Sequence, residues 1–139
     1  MLAPKKMKHK KWNRGRSRSR LVETRGKDLA FGEFGLQALE AVWMTANQIE
    51  SARKVISKYV KKGGKMWIRI FPDKPMTIKG SEIRMGGGKG PVDHYVVVVK
   101  PGMVLFEIDG VDKEIAREAM TLASHKLPVR SQFIQKYTA

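Results

Sequence analysis

Tyr95-Val96-Val97-Val98-Val99-Lys100-Pro101-Gly102-Met103-Val104-Leu105-Phe106-Glu107-Ile108 is the stretch from which a fold can first be read. Tyr95 to Val99 is a continuous apolar run, the pattern of a strand buried on both faces. Pro101-Gly102 is a turn signal, so Val104 to Ile108 reads as the returning strand of a hairpin. Upstream, Thr45 followed three residues later by Gln48 carries a capping-box signature. Ile49, Ala52, Val55, Ile56, Tyr59 and Val60 then keep helical spacing, and Gly63-Gly64 stops the helix just past Lys61 and Lys62. Asp28 to Leu39 sets Phe31, Phe34, Leu36 and Leu39 around Gly32 and Gly35, a strand with an irregularity at the glycines. Lys65 to Phe71 alternates as a strand and breaks at Pro72 and Pro75. Downstream, a second helix is predicted from Asp112 to about Lys126, with Ile115, Ala119, Leu122 and Ala123 facing inward. Pro128 ends it, and a short strand follows over Val129 to Ile134. The expected fold is α+β: mostly antiparallel strands with two packed helices, preceded by an extended basic N-terminal arm.

The charge is more unusual than the fold. The 139 residues hold 28 Lys+Arg against 13 Asp+Glu, a net charge of +15. Such an excess works against a compact state unless a polyanion neutralises it, and nucleic acid is the first candidate. Residues 1–27 carry a net +10, 28–52 a net −4, 53–89 a net +9, and 90–139 balance. The sequence therefore divides into a basic arm, 1–27, expected to be disordered when free, and a single globular domain, 28–139. Lys5, Lys6, Lys8, Lys10 and Lys11 open the arm. Arg14, Arg16, Arg18 and Arg20 alternate with small residues, so an extended chain can set guanidinium groups against successive phosphates. Arg25 continues the series, and Trp12 offers a face on which a base or sugar can stack. On the first helix Arg53, Lys54, Lys58 and Lys61 fall largely outside the apolar stripe. Like charges at three- and four-residue spacing repel, so an anion is expected over that face.

The sharpest local signal is the loop 79–91, Lys79-Gly80-Ser81-Glu82-Ile83-Arg84-Met85-Gly86-Gly87-Gly88-Lys89-Gly90-Pro91. Glycine removes bulk and permits positive φ, so a backbone can lie directly against a ligand. Arg84 and Lys89 bracket the glycines with charge, which suits a phosphate backbone. A nucleotide-binding P-loop is rejected by spacing: Gly88-Lys89 would need Gly at Ile83 and Ser or Thr at Gly90. A strand follows instead of a helix, so no helix N-terminus could cradle phosphates.

Other chemistries find little footing. Cysteine is absent, which excludes disulfides and thiolate chemistry. His9, His94 and His125 stand far apart and in no metal-ligand spacing; His94 is expected to be a packed or edge residue. Asp109 and Asp112 fit a turn and an N-cap better than an acid/base pair. No cofactor, metal or small-molecule substrate is implied, and the chain is expected not to be an enzyme. No apolar run reaches the ~20 residues that span a bilayer, so no membrane is expected. The arm lacks the apolar region of a secretory signal. Arg14 to Arg20 has some transit-peptide composition, but Leu2, Met7, Trp12, Leu21 and Val22 are too sparse for an apolar helix face.

With these residues in view, the chain resembles large-subunit ribosomal protein family sixteen, universal uL-sixteen, of bacterial type. The resemblance runs through Met1-Leu2, Pro4-Lys5, Phe31-Gly32-Glu33-Phe34-Gly35-Leu36, Thr45-Ala46, Gln48-Ile49-Glu50 and Ala52-Arg53. It continues through Gly64-Lys65-Met66-Trp67-Ile68-Arg69-Ile70-Phe71-Pro72-Asp73-Lys74-Pro75, the most specific segment, and Arg84-Met85-Gly86, Gly88-Lys89-Gly90 and Lys100-Pro101-Gly102. Ala116-Arg117-Glu118-Ala119 and Lys126-Leu127-Pro128 complete it. Gly87 and Asp93-His94-Tyr95 depart from the family pattern. The resemblance implies an α/β hammerhead-type fold and a structural role in the large subunit, in a cytoplasmic or organellar ribosome. It implies binding to 23S rRNA near the base of the central protuberance, among neighbouring subunit components. It also implies contact with tRNA in the A site and, secondarily, the P site. Carried over by position, the arm from Lys5 to Arg25, Arg53, Lys54 and Arg69 would meet rRNA; Lys61 and Lys74 join them as candidates. The loop, above all Arg84, Met85, Gly86, Gly87, Gly88 and Lys89, would reach toward tRNA and the peptidyl-transferase region. Two rivals are a free-standing architectural nucleic-acid-binding protein and an RNA-modifying enzyme. The first needs a groove-reading helix or dimer seam, the second a cofactor loop or catalytic cluster, and neither feature is evident.

Overall fold

A computed structural model describes residues 1–13, 23, 26–60 and 63–136. Seven strands and two helices follow in the order β1 (Phe34–Ala38), β2 (Val42–Thr45), α1 (Ala46–Tyr59), β3 (Lys65–Ile68), β4 (Lys74–Thr77), β5 (Val92–Val99), β6 (Val104–Asp109), α2 (Lys113–Ser124) and β7 (Ser131–Gln135). They form two antiparallel sheets, one ordered β3-β6-β1-β7 and the other β2-β5-β4. The fold is α+β, as the sequence predicts.

The hairpin expected across Pro101-Gly102 does not form. β5 pairs with β2 and β4, whereas β6 pairs with β1 and β3. Each is an inner strand of its own sheet, so both its edges are occupied and the two cannot pair with each other. The turn is instead a corner between sheets: Gly102 has φ +94°, and its N–H donates to the Ala38 carbonyl at 2.8 Å.

The strand expected over Asp28 to Leu39 is confined to Phe34–Ala38, with a register shift between Leu36 and Gln37. Residues before it cannot join the ladder, because the N–H groups of Ala30, Phe31 and Gly32 donate to a Glu107 side-chain oxygen. Lys65 to Phe71 is likewise shorter, ending as a strand at Ile68. Pro75, read as a break, lies inside β4. That strand sits at the edge of its sheet, where a residue without an N–H is tolerated. The sequence reading missed both β4 and β2. The last strand covers Ser131–Gln135, two residues beyond the expected start.

Helix α1 forms for the reason its sequence gives. The Thr45 hydroxyl accepts from Gln48 N–H at 3.3 Å and the Gln48 side chain accepts from Thr45 N–H at 2.9 Å, closing the capping box. Its buried residues are Ile49, Ala52 and Ile56. Helix α2 buries Ala116, Ala119, Met120 and Ala123. Ile115 and Leu122, expected inward, are 40% and 38% exposed. The three alanines and Met120 face the protein interior, and Ile115 lies with Glu118 along the cleft beside Lys58 and Tyr59 of α1. Both helices and the first sheet share one core with Leu36, Phe34, Phe106 and Ile108.

Candidate nucleic-acid interface

Two exposed segments far apart in sequence meet at one end of the molecule. In the arm, Leu2 packs against the core, while Lys5, Lys6, Lys8, Lys10 and Lys11 are exposed. The Lys11 ammonium donates to the Lys89 carbonyl at 2.9 Å, and the Lys89 ammonium donates back to the Trp12 carbonyl. Trp12 lines a shallow cleft with Pro75, Met76, Thr77 and Lys89. The arm thus crosses beside β4 and is tied to the end of the glycine loop.

The loop itself stands clear of the domain. Every residue from Ser81 to Lys89 is exposed, and Met85 is 99% exposed. Gly86, Gly87 and Gly88 take φ values of +108°, +77° and +99°, with no atom within 4 Å of where a Cβ would stand. Conformation, then, requires glycine here, and packing does not. Lys79 steadies the turn by donating to the Gly86 carbonyl at 2.6 Å. Gly90 differs: a Cβ there would stand 2.8 Å from the Ile78 carbonyl oxygen, so the loop closes by backbone contact at its base.

The remaining predicted cations divide by what they touch. Lys54 on α1 is exposed. Arg53 beside it is held by Glu50, with Nε at 3.0 Å and Nη2 at 2.5 Å from the two carboxylate oxygens. That bond lowers the pKa of Glu50 and raises that of Arg53. Arg69 turns toward the sheet: its guanidinium donates to Glu107 at 2.5 Å and to the Asp28 carbonyl at 3.2 Å. Lys74 is buried, its ammonium 3.7 Å from the centre of the Trp43 ring. Arg14, Arg16, Arg18, Arg20, Arg25 and Lys61 lie outside the described residues.

Glu107 is the residue that sequence reasoning missed. Its side chain is fully buried. Burial works against its charge, but donation by the N–H of Gly32, by the Arg69 guanidinium and by the N–H groups of Phe31 and Ala30 outweighs it and lowers its pKa. A lone acid within Val104-Leu105-Phe106-Glu107-Ile108 was the available signal, since a buried charge must be partnered. Beside it, Phe31 stacks on Trp67 with ring centres 5.9 Å apart. Neither aromatic was assigned a role from sequence.

His94 lies on β5 opposite Met76 of β4, beyond the span that β2 pairs, about half exposed and paired with Asp93 at 2.7 Å. Among the described residues no three His, Asp or Glu side chains group as a metal site would need. No helix there is long and apolar enough to cross a membrane.

A family model described as Ribosomal protein L16p/L10e matches residues 4–134. The matched span includes nearly all of the arm, both sheets and the glycine loop. This chain belongs to the ribosomal protein L16p/L10e family.

Proposed function

We propose that the chain is a non-catalytic structural constituent of the large ribosomal subunit, binding 23S rRNA and presenting its glycine loop to A-site tRNA and, secondarily, to P-site tRNA. The observation that carries this reading is the reciprocal pair of contacts between Lys11, Trp12 and Lys89. Through it, the arm at Lys11 and Trp12 is brought beside the Arg84–Lys89 loop. RNA neutralised along these segments releases its condensed counterions, which supplies affinity without reading sequence. The loop adds reach: its glycines hold a backbone without side-chain bulk, Arg84 and Met85 are exposed before them, and Lys89 lies near the base beside the arm.

In a cytoplasmic ribosome the arm would order against folded rRNA while the domain fixes the loop's direction. Neutralisation of about ten phosphates predicts that affinity for deproteinised 23S rRNA falls roughly three to five orders of magnitude between about 50 and 200 mM salt. A shallow salt slope would refute the electrostatic mechanism. Co-sedimentation with large subunits through a high-salt wash separates a resident of the particle from a free-standing architectural protein, which would wash off.

A further inference from the structure

We infer that the open surface of Phe31 is a stacking platform for a single unstacked base of the bound RNA. This rests on the reading of the chain as RNA-binding, and locates a contact outside both the arm and the glycine loop. Phe31 is 58% exposed, although it sits in a segment held with unusual firmness. The N–H groups of Ala30, Phe31 and Gly32 all donate to one oxygen of the buried Glu107, at 2.9, 2.9 and 3.0 Å. Gly32 presses so close to the sheet that a Cβ would stand 2.6 Å from the Ile108 carbonyl oxygen. The ring is supported from below as well. It stacks on Trp67 at an interplanar angle of 21°, and the Arg69 guanidinium carbon lies 5.4 Å from its centre.

An isolated exposed phenylalanine needs no explanation. One whose backbone is fixed by a buried carboxylate, and whose ring rests on a second aromatic and a cation, is different. Its orientation is set before any ligand arrives, so little conformational freedom is lost on stacking. The surroundings favour a nucleotide over an apolar protein surface. Lys65, Trp67 and Arg69 follow at two-residue spacing along one side of an extended edge segment, and Lys65 is exposed two residues from Trp67. Asp109 pairs opposite Lys65, and Asp28 and Glu33 are further exposed acids, three and two residues from Phe31. Aromatic faces and guanidinium planes are the groups on which RNA bases that leave their helices come to rest, and the Lys65 ammonium can meet an adjoining phosphate.

The test uses the full chain, deproteinised large-subunit rRNA and two variants, Phe31→Leu and Phe31→Tyr, each checked for an unchanged melting temperature. Leucine keeps apolar volume without a π face, while tyrosine keeps the face. Phe31→Leu should weaken binding roughly 5- to 100-fold, the range for one lost base stack, without changing the salt slope, because no phosphate contact is removed. Phe31→Tyr should stay within about twofold of the parent. Phe31→Leu binding as tightly as the parent would overturn the platform while leaving the RNA-binding reading intact. So would equal weakening by both variants, or full rRNA affinity of Phe31→Leu with loss from assembled subunits, which would mark a protein occupant. No binding by the parent chain would sink both readings together.

Discussion

Replacing Glu107 by Gln tests the central electrostatic feature of the fold. The native carboxylate is fully buried and accepts four hydrogen bonds, three from consecutive backbone N–H groups and one from Arg69. Glutamine preserves shape and one carbonyl acceptor, so the three N–H groups keep a partner. What it removes is the charge facing Arg69, and it places an NH2 where a guanidinium donates. Removing one member of a buried ion pair costs about 3–5 kcal/mol. Arg69 retains 19% of its side-chain exposure, so water offsets part of the loss and about 3 kcal/mol is expected. In a chain of this size that lowers the melting temperature by roughly 10 °C. Urea unfolding at moderate salt, where self-repulsion is screened, measures it directly. The pH dependence supplies a second reading. Glu107 has a folded pKa below its unfolded value of about 4.3, so its contribution is complete above that pH and is lost as pH falls through the folded value. The gap between parent and variant should therefore close in acid. Adding Arg69→Met to Glu107→Gln should recover stability, because the stranded cation is gone. A Glu107→Gln protein within about 1 kcal/mol of the parent at neutral pH, against the buried-pair range, would refute this account.

Other perturbations separate the devices that hold the fold from those left for ligands. Thr45→Ala opens the capping box of α1 and should cost about 1 kcal/mol by denaturant melting. Gly110→Ala should cost about 2 kcal/mol or more, because φ is +80° and a Cβ would stand 2.6 Å from the Gly63 carbonyl oxygen. Gly87→Ala bears only the backbone penalty, about 1 kcal/mol, since nothing lies within 4 Å; the same melts should rank it well above Gly110→Ala. Lys8→Ala, in the exposed arm, should reduce the salt slope of rRNA binding by about one.

Much of this was legible in the sequence, and the rest failed for identifiable reasons. The capping box, the end of α2 before Pro128 and the glycine loop are local features, decided by residues within a few positions of one another. Strand partners are not local. Tyr95–Val99 and Val104–Ile108 look like a hairpin because the turn between them is real, but Val42–Thr45 and Phe34–Ala38 compete for their edges and win. Pro75 misled because proline excludes only an inner strand, and edge position cannot be read from the residue itself. Ile115 and Leu122 misled because apolar periodicity does not fix the centre of the buried stripe: Ala119 and Ala123 are buried as expected, but with Ala116 and Met120 in place of Ile115 and Leu122. For the site, composition identified the basic arm and loop, yet could not show that Lys11, Trp12 and Lys89 bring them together across 77 and 78 positions.

The net charge of +15 therefore overstates the number of cations free to meet a polyanion. Arg69 and Lys74 sit within the strongly basic block 53–89 but face Glu107 and Trp43, and Arg53 is clasped by Glu50. These groups shape the surface from behind. Arg84, Lys89 and the described arm lysines are exposed, where solvent relieves their mutual repulsion. The distinction has a physical cause. A cation inside the fold must be partnered to be tolerated, and once partnered its charge is largely spent, whereas an exposed lysine meets solvent. The β3-β6-β1-β7 sheet with its buried Glu107–Arg69 pair and the exposed glycine loop that joins β4 to β5 of the other sheet thus treat charge differently: the first holds its cation partnered within the fold, and the second carries Arg84 on a loop exposed to solvent.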